Sequence, residues 1–338
     1  MCIALISTAH PSYSLILIDN RDEYVNRPTD PAKWWPESHS QVFGGRDLQR
    51  EVRGTWLGVT KTGKIAVLTN YREDTIPPPT ATSRGAIIKH FLTEDVGSVE
   101  GFVEKVVETG ISQDAGGFSL VCGNIGEKLA VISNRAKSQS QVPWIAGDTV
   151  QTVGLSNAAF SDRTWKKVLL GEELMLNTIR YSVENSETED QLIQRFLALL
   201  SHDTLPREGK ADEDGLEVYI KDLRDTIYVP PLGRKDMTGL IDDELRSARL
   251  NEKVEVVEEV DVVGSSTSAG RPTPTNNPQV KAPGLGVSGI YGTQKQTIVL
   301  ADKAGNVRFF ERTLFDENSN PIPLGKGDID VTFKIEKS

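Results

Sequence analysis

The chain has 338 residues, 38% of them hydrophobic, enough to bury a sizeable core as one large domain or two ordinary ones. Its 48 acidic against 38 basic residues give a net charge of −10, which repels phosphate backbones and anionic lipid surfaces and argues against nucleic acid or membrane surfaces as partners. Two cysteines, Cys2 and Cys122, exclude a disulfide framework and fit a reducing compartment.

In chain order, Met1 to Ser7 is apolar but lacks a positive leader and is interrupted by His10-Pro11, so no signal peptide is expected and the mature chain should begin near residue 1. The first arginine is Arg21, which also argues against an Arg-rich mitochondrial presequence, and no run approaches the roughly 20 apolar residues of a membrane span. Cys2 to Thr8 and Tyr13 to Asp19 are Ile- and Leu-rich strands joined by His10-Pro11-Ser12, a hairpin. A second hairpin is predicted from Gly54 to Thr60 and Lys64 to Thr69 around Lys61-Thr62-Gly63. Apolar spacing predicts helices over Ser83 to Leu92, capped by Thr82 or Ser83, and over Val99 to Glu108.

Strands follow at Phe118 to Cys122 and Leu129 to Ser133, then helices at Asp162 to Leu176 and Glu187 to Leu200, an order that implies layers of α+β structure. From Asp242 to Pro283 an acidic run passes into Ser/Thr/Pro-rich sequence that cannot support a core, so this stretch reads as a disordered insertion in a single domain over 1–338. Strands at Ser288 to Thr293, Gln296 to Leu300 and Val307 to Arg312 then complete the sheet.

Cys2 directly follows the initiator methionine, which is usually removed before so small a residue. Its thiol and free α-amine would then be nucleophile and general base in one residue, the amine titrating near 7.7 to 8.0. The alternative is a small buried residue of the first strand. Asn20-Arg21-Asp22-Glu23 follows the second strand of the hairpin and so returns toward Cys2. There Arg21 would lower the thiol pKa and clamp anionic groups, while Asp22 holds a protonated α-amine. The alternative there is a solvated turn. Gly44-Gly45-Arg46-Asp47 lacks the Lys and Ser of a P-loop and reads as a turn. Trp34, Trp35 and Trp56 read as packing, the four scattered histidines lack metal-ligand spacing, His90 reads as a partly buried helix residue, and Cys122 reads as core.

Met1-Cys2-Ile3, Asn20-Arg21-Asp22-Glu23 with Arg27-Pro28, Gly54-Thr55-Trp56-Leu57-Gly58, Leu68-Thr69-Asn70-Tyr71, Ser83-Arg84-Gly85 and Gly154-Leu155-Ser156-Asn157, in that order, resemble the NRDE family, the family of transport and Golgi organisation protein 2. The resemblance implies a four-layer αββα sandwich of the N-terminal nucleophile hydrolase type, near the cysteine acylases. It also implies a cytoplasmic protein associated with Golgi or mitochondria, acting in Golgi organisation and secretion or in handling haem or acyl-lipid. No cofactor is required, and haem or acyl-CoA would be a small-molecule ligand. Residue by residue, Cys2 matches the nucleophile, Arg21 and Asp22 its flanking pair, and Asn157 the oxyanion-hole asparagine, with Asn70 a second amide donor. For both asparagines an Asx turn is the competing reading. Where many relatives read Gly-Thr-Arg this chain has Gly292-Thr293-Gln294. That departure and the family associations favour binding, while Cys2, Arg21 and Asp22 favour a cysteine amidohydrolase acting on a non-peptide C–N bond.

Overall fold

The computed structural model describes residues 1–70, 83–234 and 289–336; the expected insertion at 242–283 lies outside them. The strands are β1 (Ile3–Ser7), β2 (Tyr13–Tyr24), β3 (Thr29–Trp34), β4 (Val42–Asp47), β5 (Leu57–Thr60), β6 (Lys64–Asn70), β7 (Phe118–Asn124), β8 (Lys128–Ser133), β9 (Trp144–Ala146), β10 (Thr152–Leu155), β11 (Tyr291–Asp302), β12 (Asn306–Thr313) and β13 (Asp328–Lys334). The helices are α1 (Arg84–Thr93), α2 (Val99–Glu108), α3 (Ile111–Asp114), α4 (Lys166–Glu184), α5 (Glu189–Leu200) and α6 (Leu216–Tyr219). None of the described helices is long and apolar enough to cross a membrane.

Two antiparallel sheets carry these strands, one ordered β10-β1-β2-β11-β12-β13 and the other β3-β4-β5-β6-β7-β8-β9. Their facing sides share a core that includes Leu15, Leu17, Val299 and Phe309 from the first sheet and Leu57, Val67, Val121 and Val131 from the second. The outer side of the second sheet is covered by Ile88, Phe91, Phe102 and Val106 of α1 and α2. The outer side of the first packs Ile3, Leu5, Ile16 and Ile18 under Met175, Ile179, Phe196 and Leu200 of α4 and α5. This is the four-layer αββα sandwich. Because each sheet is covered on both faces, β1 and β7 read as continuous apolar runs instead of alternating ones.

The structure corrects several boundaries. β2 does not stop at Asp19 but runs on to Tyr24, because β1 pairs with it as far as Asn20 and β11 follows it on the other side to Tyr24. Asn20 to Glu23 are therefore buried strand residues, and the solvated-turn alternative is excluded. Gly44 to Asp47 is likewise strand, paired with β3. The two strands expected between Ser288 and Leu300 are one strand, β11, kinked by a bulge between Thr293 and Lys295. Helix α4 starts at Lys166, four residues later than Asp162, because the Asp162 carboxylate accepts from the Thr164 backbone N–H and hydroxyl and holds a turn there.

Candidate functional site

Strand alternation distributes the polar side chains of β2 between two faces. Leu15 and Leu17 lie in the inter-sheet core and Ile16 and Ile18 under the helices, so Asp19, Arg21 and Glu23 project between the sheets while Asn20 and Asp22 project toward the helices. Asn20 spends its amide there on structure, donating to Leu200 O at 2.7 Å and Ile227 O at 3.0 Å. Ile3 pairs with Asn20, which brings the preceding residue, Cys2, to the end of β1 beside Arg21 and Asp22. Cys2 Sγ lies 3.7 Å from the Asp22 carbonyl oxygen, and Ser156 Oγ donates to the Cys2 carbonyl at 2.6 Å.

Asp22 is the charge centre of the helix-side half. Its Oδ1 accepts from Thr293 Oγ1 at 2.7 Å; its Oδ2 lies 3.4 Å from the α-ammonium of Met1 and 3.9 Å from Lys167 Nζ. The α-ammonium also hydrogen-bonds the Tyr291 hydroxyl, and Lys167 donates to the Met1 carbonyl. Arg21 anchors the inter-sheet half. Its guanidinium donates to Gln294 Oε1 and, at 3.2 Å, to Asp47 Oδ2, and stacks 4.7 Å from the Trp56 ring centre. The β11 bulge is what turns Gln294 inward, where its Nε2 donates to the Val25 and Arg27 carbonyls at 3.0 Å each. Arg27 joins this group through Asp47 Oδ2 at 2.8 Å and Glu23 Oε2 at 3.2 Å. Below it, Lys295 is paired with Glu311 at 3.0 Å, both fully buried.

These groups border a cavity of about 70 Å³ whose lining includes Cys2, Arg21, Asp22, Asn70 and Trp56. Its other charged lining residues are Glu23, Arg27, Asp47, Arg50 and Arg84, giving four guanidinium groups against three carboxylates. Four of the five expected site residues thus share one cavity. Asn157 is the exception: it is buried beside Ser156, whose hydroxyl lies 3.5 Å from its Oδ1, and is not among the described lining residues.

Burial pushes the Cys2 thiol up to about 11, opposed first by the neighbouring α-ammonium, so the expected depression by Arg21 is not what governs it. The Arg21 guanidinium is taken up by Gln294, Asp47 and Trp56 instead. Burial also lowers the α-amine, against the pull of Asp22. A protonated thiol next to an amine biased toward its neutral form can pass a proton between them, and an adjacent carboxylate can orient the amine. Asp19, buried with Oδ2 making no hydrogen bond, is held well above the usual carboxylate range by desolvation and then by Asp22.

The model of the family described as Transport and Golgi organisation 2 matches residues 1–316. The chain belongs to that family. Named relatives in the family include the transport and Golgi organization 2 homolog of Mus musculus, 28% identical over 316 residues, covering 91% of this chain and 90% of the relative. The Homo sapiens homolog is 29% identical over 313 residues, covering 91% and 89%. Among solved structures, similarity is found to an N-acylethanolamine-hydrolyzing acid amidase ortholog of Caenorhabditis elegans, at 11% identity over 60% of this chain and 87% of that one, TM-score 0.40. A conjugated bile acid hydrolase mutant of Clostridium perfringens gives 12% identity over 100% and 98%, TM-score 0.34.

Sequence reasoning missed Lys167, Tyr291 and Thr293. A signal existed for the first: Lys167, Gly171, Met175 and Ile179 recur every four residues on one helix face, and all are buried. Tyr291 and Thr293 carry no such signal, since only the pairing of β11 with β2 places them on Asp22.

Proposed function

We propose that this chain acts in transport and Golgi organisation, as its relatives' names say of them, by binding a small ligand in the cavity in front of Cys2 without turning it over. The observation that carries this reading is the charged lining of that cavity, where Arg21, Arg27, Arg50 and Arg84 meet Asp22, Glu23 and Asp47 beside Cys2. Four guanidinium groups in the lining suit a ligand head bearing carboxylate or phosphate oxygens. Haem propionates and the phosphates of acyl-CoA both offer such oxygens, in keeping with the ligands the family resemblance implies.

The test is complementation in cells that lack the protein, read as Golgi morphology and secretion. On this reading Cys2→Ala restores both, since the cavity keeps its charged groups, while Arg21→Gln does not. A null Cys2→Ala beside a functional wild type would overturn it.

A second reading has its own support: the Cys2 thiol lies 3.7 Å from the Asp22 carbonyl oxygen, and Arg21, Asp22 and Asn70 line the same cavity. In a cysteine amidohydrolase with Met1 removed, the proton leaves Sγ for the Cys2 α-amine, the thiolate attacks the acyl carbon, the amine returns the proton to the departing nitrogen, and water then cleaves the thioester to release the acid and restore the thiol. Release of an amine from a small acylated amide by wild type, absent with Cys2→Ala, would establish it.

A further inference from the structure

Asp47 is the last residue of β4, where the loop to β5 begins, and its carboxylate is divided between that loop and the site. Oδ1 accepts from the Gln49 backbone N–H at 3.0 Å, which forms an Asx turn. Oδ2 accepts from Arg27 Nε at 2.8 Å and from Arg21 Nη2 at 3.2 Å, so one carboxylate oxygen lies between two guanidinium groups that border the cavity. The other two carboxylates of the lining are committed elsewhere. Asp22 faces the helices and is taken up by the Thr293 hydroxyl at 2.7 Å and Lys167 at 3.9 Å. Glu23 is pinned by the Tyr24 backbone N–H at 2.9 Å and by Arg27 at 3.2 Å. The side chains of Asp22 and Glu23 are 0% and 11% exposed, whereas that of Asp47 is 20% exposed. Asp47 is therefore the lining carboxylate that an arriving ligand reaches most easily and that can turn out toward water at least cost.

We propose that the Asp47 carboxylate occupies the seat of a ligand's carboxylate, between Arg21 and Arg27, and that a small monocarboxylate enters by displacing it. The inference rests on the binding reading above and narrows it from anionic oxygens in general to one singly charged, planar head. Two guanidinium forks converging on one oxygen match that geometry. The local charge count points the same way. With Asp47 turned out, Arg21 and Arg27 face Glu23 at the seat, a surplus of one positive charge that a carboxylate cancels and a phosphate dianion exceeds. Val52, Trp56 and Leu68 of the same lining offer a short alkyl chain an apolar surface. Asp47 is then a specificity-determining residue, because a ligand must outcompete an anion already in place and its apparent affinity falls by the fraction of chains whose seat is open. A carboxylate that only tied the loop to the two arginines would have the opposite effect, since its removal would loosen them and weaken binding.

The experiment is a ligand-observed NMR titration of butyrate, with inorganic phosphate as second probe, against the full-length protein near neutral pH. Asp47→Asn, close in shape but uncharged, should bind butyrate about tenfold more tightly than wild type, and adding Arg21→Gln should abolish that gain. Phosphate should gain less than butyrate. Glu23→Gln removes the same charge from the same network but leaves Asp47 in the seat, so its gain should be smaller. Should Asp47→Asn fail to fold, Asp47→Ser, which keeps an acceptor for the Gln49 N–H, takes its place with the same expected gain. Butyrate binding that loss of the Asp47 charge leaves unchanged or weakens overturns the proposal, while the binding reading stands. So do equal gains from Asp47→Asn and Glu23→Gln, which would make net charge the only cause, and a larger gain for phosphate, which would make the head a dianion. Binding of neither probe to any of these proteins overturns the proposal and the binding reading together.

Discussion

At the scale of single residues, the thiol of Cys2 and the carboxylate of Asp22 carry opposite expectations. Because burial raises the thiol to about 11, iodoacetamide should alkylate Cys2 at pH 8 about two orders of magnitude more slowly than an unperturbed cysteine of pKa about 8.5. Cys122→Ala supplies the background for that measurement, and a profile centred near 8.5 would contradict the burial argument. Asp22→Asn removes the carboxylate that faces the buried Lys167 ammonium and the Met1 α-amine and should lower unfolding free energy by about 3 kcal/mol in urea titration. Thr293→Val, which deletes the hydroxyl that donates to Asp22 and accepts from the Val229 N–H, should cost about 1 to 3 kcal/mol. Cys2, Arg21 and Asp22 were legible because a cysteine after the initiator and a charged quartet after an apolar strand are unusual locally. Their setting was not, since the neutralising groups Lys167, Gln294 and Asp47 come from three distant segments.

At the scale of elements, α1 is held against the loop before β5 by two glycines facing each other. A Cβ on Gly54 would sit 2.7 Å from the Gly85 backbone, whereas one on Gly85 would meet Gly54 Cα at 3.3 Å. Gly54→Ala should therefore lower the thermal midpoint clearly, by the equivalent of about 1 to 3 kcal/mol, and Gly85→Ala by less. Equal midpoints for the two would show that the helix slides freely at this contact. Ser83 and Arg84 line the cavity from that same helix start, so the shift should also reach the site. The apolar hairpins and the two expected N-terminal helices were readable because their side-chain periods are clean. β13 carried the same signal, Ile329, Val331 and Phe333 alternating with polar residues, and was overlooked beside the longer runs. β3, β4 and β10 offered less, because Pro31, Gly44, Gly45 and Gly154 break their alternation and only neighbouring strands make them sheet.

At the scale of the whole molecule, the inter-sheet layer is apolar at one end and ionisable at the other, and Asp19 marks the border. Its carboxyl is raised in the folded state, so the folded protein binds the extra proton between the ordinary carboxylate range and the raised value. Stability from this group is therefore present at low pH and lost as pH rises through the folded value. Asp19→Asn should be increasingly more stable than wild type as pH rises over that window, and a difference constant with pH would contradict the assignment. The stretch at 242–283 is bracketed by Leu232 and Tyr291, whose backbones exchange hydrogen bonds at 2.8 and 2.9 Å. Replacing 242–283 with a short Gly/Ser linker should leave the thermal midpoint unchanged, since these flanking residues already hold the chain together; a sharp fall would mean the stretch contributes to the core. The central claim, that the cavity before Cys2 binds a small ligand in a charged lining that Arg21 holds together through Gln294 and Asp47, is tested most directly by native mass spectrometry of wild type and Arg21→Gln purified from the protein's own cells. A discrete non-covalent mass on wild type, missing from the folded variant, is the expected result; no added mass on wild type, or the same mass on both, would contradict it.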